Sequence, residues 1–234
     1  CMKVFYNYLK YQNIIEENPF NQLRFQFRTE KVLPKTIPYD ILKSIFIYLE
    51  QKVIVSKTDY QKQHAERNLL IISLLLSTGI RISELCHIHL KDINLSNKTL
   101  HIVGKGKKER ILFLGDQKTF NLLETYINKT RNESNDFLFP GKHSLKPLSE
   151  QSVRLVLKRI VEQNSLSRTI APHMFRHSFA TMLLDNDVDI RYIQQILGHS
   201  SISVTQIYTH VSHSKQKEIL SSFNPVSAIH SEIE

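Results

Sequence analysis

The sequence predicts a mainly α fold carrying a small antiparallel β-sheet (an α+β arrangement), and three observations predict it. Glycine is scarce, six in 234 residues, which leaves few breaks for long helices. Apolar residues recur at helical spacing through most of the chain. Between Asp92 and Leu114 alone the period shortens to strand-like alternation.

Met2 to Glu17 is aromatic-rich and reads as one helix, ending before Asn18-Pro19 because the residue ahead of a proline is pushed out of helical geometry. Phe20 to Ile37 carries Arg24, Arg28, Lys31 and Lys35, with Pro34 and Pro38 as breakers; this is the composition of a basic linker or a solvated loop. From Pro38 to Gln51, Ile41, Ile45 and Leu49 share one helical face. Glu66 to Thr78 is a more apolar helix, closed by Gly79 where a left-handed cap is expected. Another helix follows over Ile82 to Leu90. Strands are expected at Asp92–Leu95, Thr99–Val103 and Arg110–Leu114, the last two joined through Gly104-Lys105-Gly106-Lys107. Helices resume at Phe120–Thr130, Ser149–Gln163, Pro172–Asp185, Asp189–Leu197 and Ser203–Tyr208, with Asp189 and Ser201 or Ser203 as N-caps.

Lys and Arg outnumber Asp and Glu by 31 to 22, for a net charge of +9. A polyanion is therefore the first partner to consider, and nucleic acid is the commonest one. Two cysteines, Cys1 and Cys86, give neither a disulfide framework nor a zinc-site spacing, which points to a reducing, cytoplasmic setting. The longest apolar run, Leu69 to Leu76, is too short to cross a bilayer, and no export signal stands at the N-terminus, so no membrane is expected. A chain opening Cys1-Met2 reads as a piece of something longer.

Three segments carry chemistry: Ser77-Thr-Gly-Ile-Arg81-Ile-Ser-Glu84, Val103-Gly-Lys105-Gly-Lys-Lys-Glu-Arg110, and the stretch from Pro172 to Val211. The last contains His173-Met-Phe-Arg176-His177, Leu197-Gly-His199 and Ile207-Tyr208. Breaking a phosphodiester without metal needs fixed cations for the charge gathering on the non-bridging oxygens. Arginine suits that task because its planar fork stays charged and binds phosphate through two donors. The reaction also needs an in-line nucleophile and a general acid for the departing 5′-oxygen. Arg81, Arg176, His173, His199, Lys105 and Tyr208 supply those parts. His173 and Arg176, three apart, share a helical face. Gly198 can end one helix and turn His199 back towards the site.

These segments resemble the tyrosine recombinase (phage integrase) family, whose signature is an Arg after Thr-Gly-hydrophobic, a hairpin Lys, His-x-x-Arg, Leu-Gly-His and a late Tyr. Each motif alone is weak; five in order, from Arg81 to Tyr208, are highly specific. The resemblance implies that Arg81 and Arg176 clamp the scissile phosphate and that Lys105 is the general acid. It implies that His173 assists proton transfer and that His199 hydrogen-bonds the phosphate or the tyrosine. Tyr208 would form the 3′-phosphotyrosine, and Glu84 would be accessory to Arg81. Lys107 and Lys108 compete with Lys105 for the hairpin role. The implied partners are double-stranded DNA recombination sites and further copies of the chain, as a tetramer on DNA. No cofactor and no metal are implied: His173 and His177 lack the Glu of His-Glu-x-x-His, and Arg176 between them would repel a cation.

The resemblance also sets expected boundaries. Residues 1–18 resemble the last helix of a core-binding domain, 19–35 a linker, 36–224 the catalytic domain and 225–234 a C-terminal tail. A short helix over Lys215–Phe223 carries Ile219, Leu220 and Phe223 on one side, which needs a groove on a neighbouring copy or on its own domain. The resemblance favours the neighbour. Two other readings compete: a type IB topoisomerase, and a catalytically inactive DNA-binding module.

Overall fold

The computed structural model describes residues 2–21, 35–104, 109–130, 136–141, 146–198 and 213–233. The chain divides into two units, Cys1–Leu33 and Pro34–Glu234. In the first, helix α1 (Met2–Tyr11) stops six residues before the expected end at Glu17. Asn13 turns into left-handed geometry at φ 54°, a conformation that Asn tolerates better than most residues. The Asn18 amide then ties the segment back to Lys3 O and to Asn7 Oδ1, at 3.2 and 2.6 Å.

The second unit is built around one buried helix, α3 (Asp59–Thr78). Leu70, Ile71, Ile72, Leu74, Leu75 and Leu76 are all fully buried, so the C-terminal half of this helix is apolar all round, as a segment in the centre of a core must be. It starts seven residues earlier than its apolar run suggests, because the Thr58 hydroxyl accepts from Gln61 N at 3.2 Å and caps it. Packed against it are α2 (Tyr39–Ile54), α5 (Gln117–Thr130) and α7 (Pro172–Asp185). Between α3 and α5 lie the short helix α4 (Ile82–Cys86) and the sheet β1 (Ile93–Asn94), β2 (Thr99–Val103) and β3 (Glu109–Phe113). Its order is β1-β2-β3, antiparallel throughout, with Ile102 opposite Arg110 and Val103 opposite Glu109. Helix α6 (Glu150–Gln163), capped by Ser149, and α8 (Ile190–Leu197), capped by Asp189 as expected, complete the shell. The predicted helix over Ser203–Tyr208 lies outside the described residues.

The C-terminus bears on two expectations. In helix α9 (His213–Ser222) Ile219 and Leu220 are 4% and 0% exposed, packed on their own domain, while Phe223 just beyond it is 41% exposed. Gly115 accommodates this, since a Cβ there would lie 1.9 Å from Leu220 O. Residues 225–234, expected as a C-terminal tail, contain helix α10 (Pro225–Ile233), which packs on α2, α3, α5 and α7. Val226 and Ile229 are fully buried. Asp116 anchors this helix, accepting from Ser227 Oγ at 2.7 Å, while the His230 ring stands 3.2 Å away without hydrogen-bond alignment. Burial pushes the Asp116 carboxyl up, but contacts from His230, Ser227 and Thr119 outweigh it and hold it at about 2.

Candidate active site

The site begins where α3 ends. Gly79 caps the helix in left-handed geometry (φ 62°), its N–H donating to Leu75 O at 3.2 Å. A Cβ at Gly79 would stand 2.6 Å from the Phe179 ring of α7 and 2.7 Å from Leu197 Cδ2 of α8. Only glycine meets both demands, the positive φ and the close approach. Two residues later Arg81 is extended (φ −76°, ψ 151°) and opens α4. Its N–H donates to Glu84 Oε2 at 2.9 Å and its Nη1 to Glu84 Oε1 at 2.7 Å. The Glu84 carboxylate thus caps α4 and holds the Arg81 side chain, which remains 40% exposed.

Arg176 approaches from α7 and is 8% exposed. Its Nη1 donates to Gly79 O and its Nη2 to Leu197 O, each at 2.7 Å. Those carbonyls terminate two helices, so one guanidinium satisfies acceptors that helix ends leave unpaired and meets the negative ends of both dipoles. Burial lowers the pKa of Arg176 to about 10, with repulsion from Arg81 and Arg110 adding to the effect and Glu84 opposing it. It stays charged at neutral pH.

A third arginine was not singled out by sequence reasoning. Arg110 of β3 donates from Nη2 to Glu84 Oε2 at 2.8 Å and from Nη1 to Glu84 Oε1 at 3.1 Å, while its Nε reaches Ile196 O at 3.0 Å. Burial alone would raise the Glu84 carboxyl; hydrogen bonds from Arg110 and Arg81 hold it at about 2 instead. Three guanidinium groups around one carboxylate leave two positive charges in excess. Such an excess suits a phosphodiester, whose charge doubles as a pentavalent transition state forms.

Of the residues picked from the sequence, Arg81, Glu84 and Arg176 meet in this cluster. His173 lies one turn before Arg176 on α7, exposed, its ring centroid 5.9 Å from that of His177. Burial, followed by the charges of His173 and Arg176, lowers the pKa of His177. Lys105, with its competitors Lys107 and Lys108, and also His199 and Tyr208, lie outside the described residues. The chain is described up to Gly104 and Gly198, the residues directly before Lys105 and His199. Among the described residues no group of three or more His, Cys, Asp or Glu could hold a metal, and no helix is long and apolar enough to cross a membrane.

Known proteins share this architecture. The profile of the phage integrase family matches residues 48–215. A tyrosine recombinase of Agathobacter rectalis is 49% identical over 232 residues, covering 98% of this chain and 75% of the relative. XerC of Bacillus subtilis is 35% identical, with 96% and 72% covered. Among solved structures, the XerH site-specific recombinase bound to palindromic difH substrate in a post-cleavage complex gives a TM-score of 0.61 at 28% identity. That match covers 82% of this chain and 54% of the other. XerA recombinase gives a TM-score of 0.60 at 24% identity over 93% of this chain and 80% of that one, which bears on the fold alone. These relatives are recombinases and do not favour the topoisomerase reading. With a family profile across more than half its length and a relative at 49% identity, this chain belongs to the phage integrase family of tyrosine recombinases.

Proposed function

We propose that the chain is a site-specific recombinase that cleaves and rejoins DNA through Tyr208. The observation that carries the reading is the pair Arg81 and Arg176, the first standing two residues after Gly79 and the second hydrogen-bonded to Gly79 O, with Glu84 the one carboxylate among the described residues of their cluster. In this reading the two guanidinium groups bind the non-bridging oxygens of the scissile phosphate. The Tyr208 hydroxyl attacks phosphorus, the bond to the 5′-oxygen breaks, and Lys105 protonates that oxygen as it leaves. His173 assists the proton transfers, and His199 hydrogen-bonds the phosphate or the tyrosine. The product is a 3′-phosphotyrosine and a free 5′-hydroxyl. Because the phosphoester bond is exchanged rather than hydrolysed, attack by a 5′-hydroxyl from a second site reseals the strand without ATP. Exchange between two duplexes calls for four active sites, hence a tetramer on DNA, with residues 1–18 the end of a core-binding domain. The setting is cytoplasmic.

Tyr208→Phe tests the reading. It deletes the nucleophilic oxygen and is expected to retain DNA binding while forming no covalent adduct with a nicked suicide duplex, read on a denaturing gel. An adduct of undiminished yield would assign the nucleophile elsewhere, with Tyr192 the first residue to examine.

A further inference from the structure

Glu84 poses an electrostatic problem. It grips Arg81 through both the side chain and the backbone N–H, so a carboxylate sits beside the group that is to receive a phosphate. Left alone, it would repel that phosphate and compete with it for the Arg81 donors. Arg110 removes the difficulty. Its fork covers both Glu84 oxygens, and its side chain is only 12% exposed. Its Nε holds Ile196 O, next to Leu197, whose carbonyl takes Arg176. A Cβ on Gly198 would come within 3.1 Å of Arg110 Cδ, so the left-handed cap of α8 lies against the same side chain. One residue of β3 thereby touches the carboxylate that aims Arg81, the end of the helix that holds Arg176, and the Gly198 cap that closes that helix.

We propose that Arg110 is a positioning residue for strand cleavage: it neutralises Glu84 so that this carboxylate aims Arg81 without opposing the phosphate, and it ties the β2–β3 hairpin to the end of α8. The inference rests on the reading of Arg81 and Arg176 as the phosphate clamp. A buried ion pair is weak evidence of a purely stabilising role, because apolar residues of similar volume often do as well. The location of this one, on the carboxylate that holds Arg81 and beside the carbonyl that holds Arg176, points to geometry and charge instead. Without Arg110, Glu84 has one guanidinium left and draws Arg81 into a two-oxygen pair, withdrawing donors from the phosphate.

The test is single-turnover formation of the covalent adduct on a nicked duplex that the unmutated chain cleaves, with DNA affinity and thermal stability measured for every variant. Arg110→Gln is expected to cleave about 10²-fold more slowly, the scale of losing one preorganised donor, with DNA affinity changed by no more than about threefold. Arg110→Lys keeps the charge without the fork and should fall between the two. The decisive variant is Arg110→Gln combined with Glu84→Gln. With the carboxylate neutralised, cleavage should recover by about tenfold over Arg110→Gln alone, a coupling that a double-mutant cycle isolates. A double variant no faster than Arg110→Gln, or rates that simply follow thermal stability, would overturn the proposal, as would Arg110→Gln cleaving at the normal rate. Should Arg110→Gln fail to fold, Arg110→Lys decides: a normal rate in that variant overturns the proposal, and a loss with unchanged affinity supports it. Arg81→Ala separates the two levels. If it cleaves normally, the clamp reading itself fails; if it is slow while Arg110→Gln is normal, only the positioning role falls.

Discussion

Arg176 and Arg81 both adjoin Gly79, one through a hydrogen bond to its carbonyl and the other two residues along the chain, yet they are held by different chemistry. Arg176 is buried and bound by two backbone carbonyls, Gly79 O and Leu197 O. Arg81 is 40% exposed and bound by a side chain, the Glu84 carboxylate, which Arg110 shares. A carbonyl at a helix end can be neither mutated away nor protonated, so the Arg176 side is a fixture of the fold. The Arg81 side is set by an ion pair and open to adjustment. The fixed arginine therefore ties stability to chemistry, whereas the adjustable one is expected to separate them.

The largest stability effect should come from Arg176→Ala. It leaves two buried helix-end carbonyls without a donor, and an unsatisfied buried acceptor costs about 1–3 kcal/mol, so roughly 2–6 kcal/mol is expected. Urea unfolding would read this as a lowered midpoint at unchanged slope. A loss of well under about 1 kcal/mol would mean that solvent reaches those carbonyls and that the contrast between the two sides is wrong. Next comes Gly79→Ala, which forces a non-glycine residue to φ 62° and places a Cβ 2.6 Å from Phe179. The left-handed penalty of about 1–2 kcal/mol and an overpacking cost of similar size add to about 2–4 kcal/mol. A crystal structure of this variant in which α3, α7 and α8 are unshifted would break the claim that Gly79 sets their approach.

Acid should separate the sides without mutation. The Glu84 carboxyl is held at about 2 in the folded chain against an ordinary value of 4.5. A depressed folded pKa contributes stability that is complete above the unfolded value and is lost as pH falls through the folded one. Stability should therefore fall between pH 4.5 and about 2, and Glu84→Gln should flatten part of that fall. Asp116, held at about 2 by contacts that include His230 and Ser227 of α10, titrates in a similar window and accounts for another part. An acid profile unaltered by Glu84→Gln would show that the ion pair contributes nothing to stability.

How much of this was legible in the sequence depended on how far apart the partners lie. Gly79 as a left-handed cap, Asp189 as an N-cap and the three-residue spacing of His173 and Arg176 are local signals, and local geometry honours them. Glu84 next to Arg81 was legible for the same reason, being three residues away. Arg110 was not. Following Lys107, Lys108 and Glu109 it looks like a solvated strand residue, and its partner is 26 positions upstream. The only hint was alternation: Arg110 shares a strand face with fully buried Leu112. Helix α10 was missed because Pro225, Ser227, His230 and Glu232 interrupt its apolar pattern, and the groove that receives it is built by distant helices. Its ion pair from Lys43 to Glu232 spans 189 positions.

The smallest stability effect and one of the largest effects on cleavage should coincide in Arg81→Ala. The side chain lost is partly solvated and, among the described residues, makes one side-chain hydrogen bond, to Glu84 Oε1 at 2.7 Å. Arg81 is the solvated half of a pair whose other half is buried, and losing it is expected to cost about 1 kcal/mol or less, so the midpoint of unfolding should move little. Glu84 is not stranded, because Arg110 still covers both its oxygens and the residue 81 backbone N–H remains to donate. The phosphate, by contrast, loses a donor that cannot be replaced from Arg110, which is committed to Glu84 and Ile196. Cleavage should therefore slow by about 10²–10³, with DNA affinity far less affected. If Arg81→Ala instead destabilised the chain as much as Arg176→Ala, the two arginines would be equivalent supports, and the division between a fixed and an adjustable side of the site would collapse.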